Sequence, residues 1–281
     1  CSCAERPRTP LRLPTGRPGL PVLNRPWAGR PWIRHDAARM SAARTKEDLA
    51  RTMYEESVEA AAGLRRHFDA SPMREALGLD PSGGLLLKME SALPTGSFKI
   101  RGAMHRLQHL SEEERGRGVV AASTGNHGAA VAHAASLTGV AATVLIPEPT
   151  PEGRAQAITS RGASVVRSGA ECGEAEAAAR VRAEASSETF VSPYNDAVVM
   201  AGQGSLAVEL LEQLPEVGRV YVAVGGGGLI GGISAVLKHR SPGVEVIGCS
   251  PRASHPMHAS VAAGEIVETE HLATLSLATA G

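Results

Sequence analysis

The sequence predicts an α/β fold with mainly parallel sheets, and three observations carry that expectation. Short β-branched apolar runs alternate with alanine-rich helical stretches from Gly118 to Cys249. A polar, glycine-bearing segment, Ser123-Thr124-Gly125-Asn126-His127-Gly128, falls between one such strand and the next helix. A tetraglycine turn, Gly225 to Gly228, falls in the same kind of place further on. Turns of this kind, leading from a strand into a helix, are where α/β folds hold anions.

The elements follow in order. Residues 1–43 are rich in arginine and proline, contain Glu5 and Asp36 as their acids, and show neither helical nor strand periodicity. They read as a disordered or non-native extension, with Met40 as the favoured true start. Their arginine-rich, acid-poor composition also describes an organelle transit peptide, although the prolines oppose the amphipathic helix such a peptide needs. From Thr45 to Phe68 the recurrence of Met53, Val58, Ala61, Ala62 and Leu64 predicts a helix. Ser71-Pro72 and Asp80-Pro81-Ser82-Gly83-Gly84 are breaks. Leu85 to Met89 reads as a buried strand and Leu93 to Gly96 as a turn. Ser97, a candidate cap, and Phe98 lead into a helix reaching about Leu110, with Lys99 in its first turn.

Strands are then expected at 118–122, 142–147, 164–167, 189–191, 219–224 and 244–249. Helices are expected at 128–138, 152–162, 173–185, 202–213 and 229–239.

Composition removes several classes of function. Lysine plus arginine equals aspartate plus glutamate, 29 each, and aromatics are 3% of the 281 residues. Neither a basic surface nor a stacking platform for nucleic acid follows from that. No apolar run reaches the roughly 18 residues of a membrane span. Cys1, Cys3, Cys172 and Cys249 match neither a disulfide framework nor a closed zinc site, so a reducing, cytoplasmic setting is the default.

Three segments carry chemistry. Pro94-Thr95-Gly96-Ser97-Phe98-Lys99-Ile100-Arg101-Gly102-Ala103 supplies one lysine, which on its own would read as a surface residue opening a helix. The Ser123–Gly128 loop supplies backbone N–H groups and polar side chains. The turn Gly225-Gly226-Gly227-Gly228 lets an anion approach the backbone closely. It is not a dinucleotide fingerprint, because the end of the next strand carries Ser250 and no acid near it for a ribose. A lysine that bonds an aldehyde, with a phosphate cup and a polar loop, is the set of parts a pyridoxal 5'-phosphate site needs. His255, His258 and His271 are isolated, and no metal site is expected from them.

On these three motifs, from about Leu64 to Gly281, the chain resembles the serine/threonine dehydratase and serine racemase group of pyridoxal-phosphate enzymes, which have the tryptophan-synthase-β-like fold (fold type II). Ser97-Phe98-Lys99-Ile100-Arg101-Gly102 and Gly125-Asn126-His127-Gly128 have the wording of that group rather than of cysteine synthases. The resemblance implies a two-domain, three-layer α/β/α enzyme. Residues 44–103 and 197–281 would form a large cofactor domain and 104–196 a small inserted one. It implies that Lys99 is the Schiff-base lysine and proton shuttle, with Phe98 packed beside the cofactor. Asn126 would bond the cofactor's ring oxygen, and Gly225, Gly226, Gly227 and Gly228 would hold its phosphate. Ser123, Thr124, Gly125, Asn126 and His127 would cradle the substrate carboxylate, His127 chiefly shaping the loop. Thr124 would stand where racemases place the serine that works on the ring face opposite the lysine.

Gly202-Gln203-Gly204 would open a helix near the cofactor. Ser250 replaces the acid that binds a divalent cation in racemase-like members. The ending 274–281 is similar to a family loop that leads into further strands and helices, so truncation is expected. The implied activity is an ammonia-lyase acting on serine, threonine or 3-hydroxyaspartate, in a homodimer if full length. A serine racemase and an inactive truncated homologue are the alternatives.

Overall fold

The computed structural model describes residues 45–270, 272–276 and 279. The expectations for residues 1–43, Cys1, Cys3, His271 and the last two residues lie outside that set.

Helix α1 (Lys46–Leu64) starts at Thr45, whose hydroxyl accepts from the Asp48 N–H while the Asp48 carboxylate accepts from the Thr45 N–H. This reciprocal cap satisfies two orphan donors of the first turn. The helix is as expected, and the residues that recur along it divide between its two faces. Ser57, Ala60, Ala61 and Leu64 are buried, whereas Val58 and Ala62 are exposed. The inward face is built of small residues because α1 packs closely on two later helices, and a Cβ added at Gly204 would collide with the Ser57 hydroxyl.

Strands β1 (Met73–Glu75) and β2 (Leu86–Lys88) form an antiparallel pair. The expected buried strand at 85–89 is thus half-exposed, with Leu87 facing outward. Strand β1 has no β-branched residue to announce it. A single 3-10 turn at Glu90–Ala92 precedes α2 (Lys99–Gln108) and α3 (Glu112–Arg117).

The main sheet is made of β3 (Val119–Ala122), β4 (Ala142–Ile146), β5 (Ser164–Arg167) and β6 (Thr189–Phe190). All are parallel, in the order β5-β4-β3-β6. The crossovers are α4 (Asn126–Thr138), α5 (Glu152–Thr159) and α6 (Cys172–Ser186). Alternate residues of β3 separate the layers. Val119 and Ala121 join the cluster holding Ala130, Val131 and Ala134 of α4, and Val120 joins the cluster holding Ala179 of α6. Helices on both faces make this a three-layer α/β/α sandwich.

Helix α7 (Ala197–Gln213), strand β7 (Arg219–Ala223), helix α8 (Gly228–Arg240) and strand β8 (Glu245–Cys249) follow. Strands β7 and β8 pair in parallel. Helix α9 (Pro256–Ala263) was not foreseen; its proline sits in the first turn, where it fits. Gly202-Gln203-Gly204 lies inside α7 rather than opening it. Gly202 and Gly102 let α7 and α2 cross with backbones almost touching, since a Cβ at Gly202 would stand 2.7 Å from the Arg101 carbonyl oxygen.

Candidate active site

Ligands of parallel α/β sheets gather beyond the carboxyl ends of the strands. The residues after β3, β6 and β7 lie there: Ser123–Asn126, Val191–Tyr194 and the tetraglycine turn. Lys99 reaches the same region from the first position of α2.

The Lys99 Nζ donates to the Pro193 carbonyl oxygen at 2.9 Å. Partial burial, with the desolvation it brings, lowers its ammonium to about 8. The amine is thereby poised to lose its proton near neutrality, which is what a nucleophile toward an aldehyde requires. The Phe98 ring is half-buried, its centroid 5.1 Å from that Nζ. Ser97 does not cap the helix. Phe98 holds the cap position without a side-chain bond, and the buried Ser97 Oγ and Thr95 Oγ1 have no protein partner.

Helix α4 starts two residues earlier than expected, so Asn126 and His127 sit in its first turn. Gly125 is its cap and contributes no side chain, and Gly125 and Asn126 are exposed at the helix N-terminus. The Ser123 hydroxyl accepts from the Gly125 N–H at 3.2 Å. His127 is buried, and its Nε2 lies 2.9 Å from the Val191 carbonyl oxygen, which makes it the protonated nitrogen. Burial, helped by the nearby Lys99 charge, lowers the imidazole to about 3. His127 is therefore neutral at ordinary pH and anchors the loop. Thr124 Oγ1 accepts from Arg154 Nη1 at 3.4 Å.

In the glycine turn, Gly227 has φ +84° and caps α8. Only glycine takes up that left-handed conformation at little cost. A Cβ at Gly226 would collide with the Tyr194 ring, and one at Gly228 would stand 2.9 Å from the Tyr194 Cα. The N–H groups of the first turn of α8 have no intrahelical acceptors, and they point at whatever the turn holds.

The segment Val191–Tyr194 thus touches all three motifs. Val191 holds His127, Pro193 holds Lys99, and Tyr194 packs on the tetraglycine turn. Sequence reasoning missed it. The available signal was position: β6 pairs with β3, so the loops after both strands emerge side by side. Arg154 was missed as well, being one arginine among many. Ser250, at the end of β8, donates its hydroxyl to the Val224 carbonyl oxygen at 3.1 Å.

These residues fit pyridoxal phosphate. The amine is desolvated, the buried hydroxyls of Thr95 and Ser97 just before it in the chain lack protein partners, and the backbone cup is built of glycines.

The family model described as pyridoxal-phosphate dependent enzyme matches residues 64–280. The chain is 46% identical over 195 residues to L-threonine ammonia-lyase of Thermotoga maritima, covering 69% of this chain and 48% of that protein. It is 38% identical over 213 residues to the catabolic L-threonine dehydratase of Staphylococcus aureus, covering 75% and 62%. The chain therefore spans about half to three-fifths of the length of these curated relatives. Among solved structures, the processed form of threonine deaminase isoform 2 from Solanum lycopersicum aligns with TM-score 0.77 at 31% identity, over 82% of this chain and 68% of that one. Maize serine racemase aligns with TM-score 0.76 at 31% identity, over 80% and 69%.

Proposed function

This chain belongs to the family of pyridoxal-phosphate dependent enzymes, and from that premise we propose that it is an ammonia-lyase converting a small β-hydroxy amino acid to a 2-oxo acid and ammonia. The observation that carries the reading is the convergence of Lys99, the Ser123–His127 loop and the tetraglycine turn on Val191–Tyr194. The names of the relatives, L-threonine ammonia-lyase and L-threonine dehydratase, support the reaction class.

When bound, the cofactor supplies an electron sink for the pair left on the substrate's α-carbon. The chain's residues do the rest. The Lys99 Nζ takes the α-proton, on one face only. The N-terminus of α4, with Ser123 and Asn126, holds the substrate carboxylate. The first-turn N–H groups of α8 would hold the cofactor's phosphate. Water is lost and regained, so the net products are the oxo acid and ammonia. Racemisation would need a second proton donor on the opposite face, within hydrogen-bond reach. By resemblance Thr124 would stand at that place, but its hydroxyl accepts from Arg154 Nη1 and is too weak an acid to serve well.

The proposal includes the division into a large domain, 44–103 with 197–281, and a small one, 104–196. The four-stranded parallel sheet within the second range supports it. A homodimer if full length, and a cytoplasmic setting, complete it. Among the described residues, no helix is long and apolar enough to cross a membrane.

The test is a chiral assay with L-serine and L-threonine, run with added pyridoxal phosphate and without magnesium. Ammonia and oxo acid should form much faster than D-isomer. D-isomer as the main product, or strict magnesium dependence, would overturn the lyase reading. Gly226→Asp should weaken cofactor affinity by on the order of 100-fold, because it places bulk against the Tyr194 ring and a negative charge beside a dianion. Cofactor titration followed by absorbance checks this, and unchanged affinity would remove the turn from the site.

A further inference from the structure

Helix α2 begins at Lys99 without a side-chain cap. Other helices of the chain show what an oxygen-bearing side chain does in that place. Thr45 caps α1, Ser111 caps α3 and Asp196 caps α7, each accepting from an N–H of the first turn. Ser97 stands one residue too early for this, and Phe98 takes the cap position. The Ser97 side chain is nonetheless inside. The residue is 6% exposed, and its Oγ meets no hydrogen-bond partner among the described residues. A buried hydroxyl without a partner is costly, and folded proteins rarely keep one unless something else uses it. The Thr95 hydroxyl shares that state, but it belongs to the preceding turn and to a residue that is only half-buried.

Three features meet at this point of the chain. The Ser97 hydroxyl has a proton to donate. The first N–H groups of α2 carry the positive end of the helix dipole and lack intrahelical acceptors. Lys99, the amine that meets the cofactor's aldehyde in the reading above, is two residues further on. The acceptor that suits all three is an anion close to the aldehyde. In pyridoxal phosphate the aldehyde and the phosphate arm stand on neighbouring ring carbons, and the phosphate is the dianion of the molecule. A hydroxyl donating to it makes a charge-assisted bond. We propose that Ser97 is a cofactor-binding residue whose hydroxyl donates to the phosphate of pyridoxal phosphate. The proposal rests on the cofactor site described above and adds a side-chain donor to the backbone donors of the tetraglycine turn.

Two measurements on the full chain test it. The first is absorbance titration with pyridoxal phosphate and with pyridoxal, which keeps the ring and aldehyde but lacks the phosphate. Ser97→Ala should weaken binding of the phosphorylated compound about tenfold, the scale of one charge-assisted hydrogen bond, and leave the affinity for pyridoxal unchanged. Ser97→Thr, which keeps a hydroxyl, should retain more of the preference for the phosphorylated compound than Ser97→Ala does. A preference unchanged in Ser97→Ala overturns the proposal, because the hydroxyl then meets only ordered water. An equal fall for both compounds overturns it as well, because the hydroxyl then serves the ring or the fold. The second measurement is urea denaturation without cofactor. A hydroxyl with no protein partner contributes nothing there, so Ser97→Ala should keep the midpoint or raise it. A lowered midpoint assigns the hydroxyl a partner within the protein and overturns the proposal. Failure of the unsubstituted chain to bind either compound overturns the cofactor site itself, a result distinct from binding that is indifferent to Ser97.

Discussion

Lys99→Ala is expected to lower ammonia release by at least about 10³-fold, because it removes both the covalent anchor and the base that takes the α-proton. The loss should appear mainly in kcat, measured at saturating cofactor. Lys99 also carries a pH signature. Desolvation lowers its pKa from the ordinary lysine value of 10.5 to about 8, so the free amine that attacks the aldehyde becomes populated through pH 8. The rate of cofactor attachment should rise with a midpoint there. The sign for stability follows. Between pH 8 and 10.5 the unfolded chain keeps a proton that the folded one has lost, so folding stability should increase with pH across that window. Lys99→Met should flatten this slope in pH-dependent denaturation.

The second large effect is on stability. The Arg101 guanidinium is fully buried. It bonds the Glu90 carboxylate at 2.7 and 2.9 Å and the Glu209 carboxylate at 2.7 and 2.8 Å. Lys88 Nζ adds a third contact to the cluster, 2.8 Å from Glu209. Two positive and two negative groups thus sit together where β2, the 3-10 turn, α2 and α7 meet. Burial pushes Glu209 upward, but the bonds from Arg101 and Lys88 outweigh it and hold the carboxyl below its usual range. Arg101→Ala leaves two carboxylates facing each other with one cation, and should destabilise the chain by about 3–5 kcal/mol in urea denaturation. Glu209 contributes stability above the carboxylate range, and that contribution is lost as pH falls through its lowered pKa. The penalty of Arg101→Ala should therefore shrink in acid. A loss under about 1 kcal/mol would mean that the pairing does not hold α2 in place.

Lys99 and Arg101 are two residues apart, yet one was legible in the sequence as chemistry and the other was not. Lys99 was legible because the motif around it resembles that of a known enzyme group, and because the two glycine-bearing loops have recognisable places after strands. The four parallel strands were legible for a similar reason: β-branched runs such as Ala142–Ile146 are bounded by helical stretches. Arg101 acts through Glu90 and Glu209, which are 11 and 108 residues away, and no local pattern reports such a contact. Tyr194 is the same case. Ser192-Pro193-Tyr194-Asn195 reads as a turn, and only the pairing of β6 with β3 brings it under the glycine loop. The inward face of α1 was not legible, because hydrophobicity points to Val58 whereas close helix packing buries Ser57. The start of α4 was misplaced because Asn and His are weak helix formers locally, and tertiary contacts, His127 to Val191 among them, extend the helix over them.

The central claim is that Val191–Tyr194 gathers three distant motifs into one pyridoxal-phosphate site around Lys99. The most direct measurement is to load the chain with the cofactor, reduce it with borohydride and map the labelled peptide by mass spectrometry. The account expects one pyridoxyl group, on Lys99, with labelling weakened by Gly226→Asp. A label on Lys88 or Lys238 instead, or no stable label on any lysine, would contradict it.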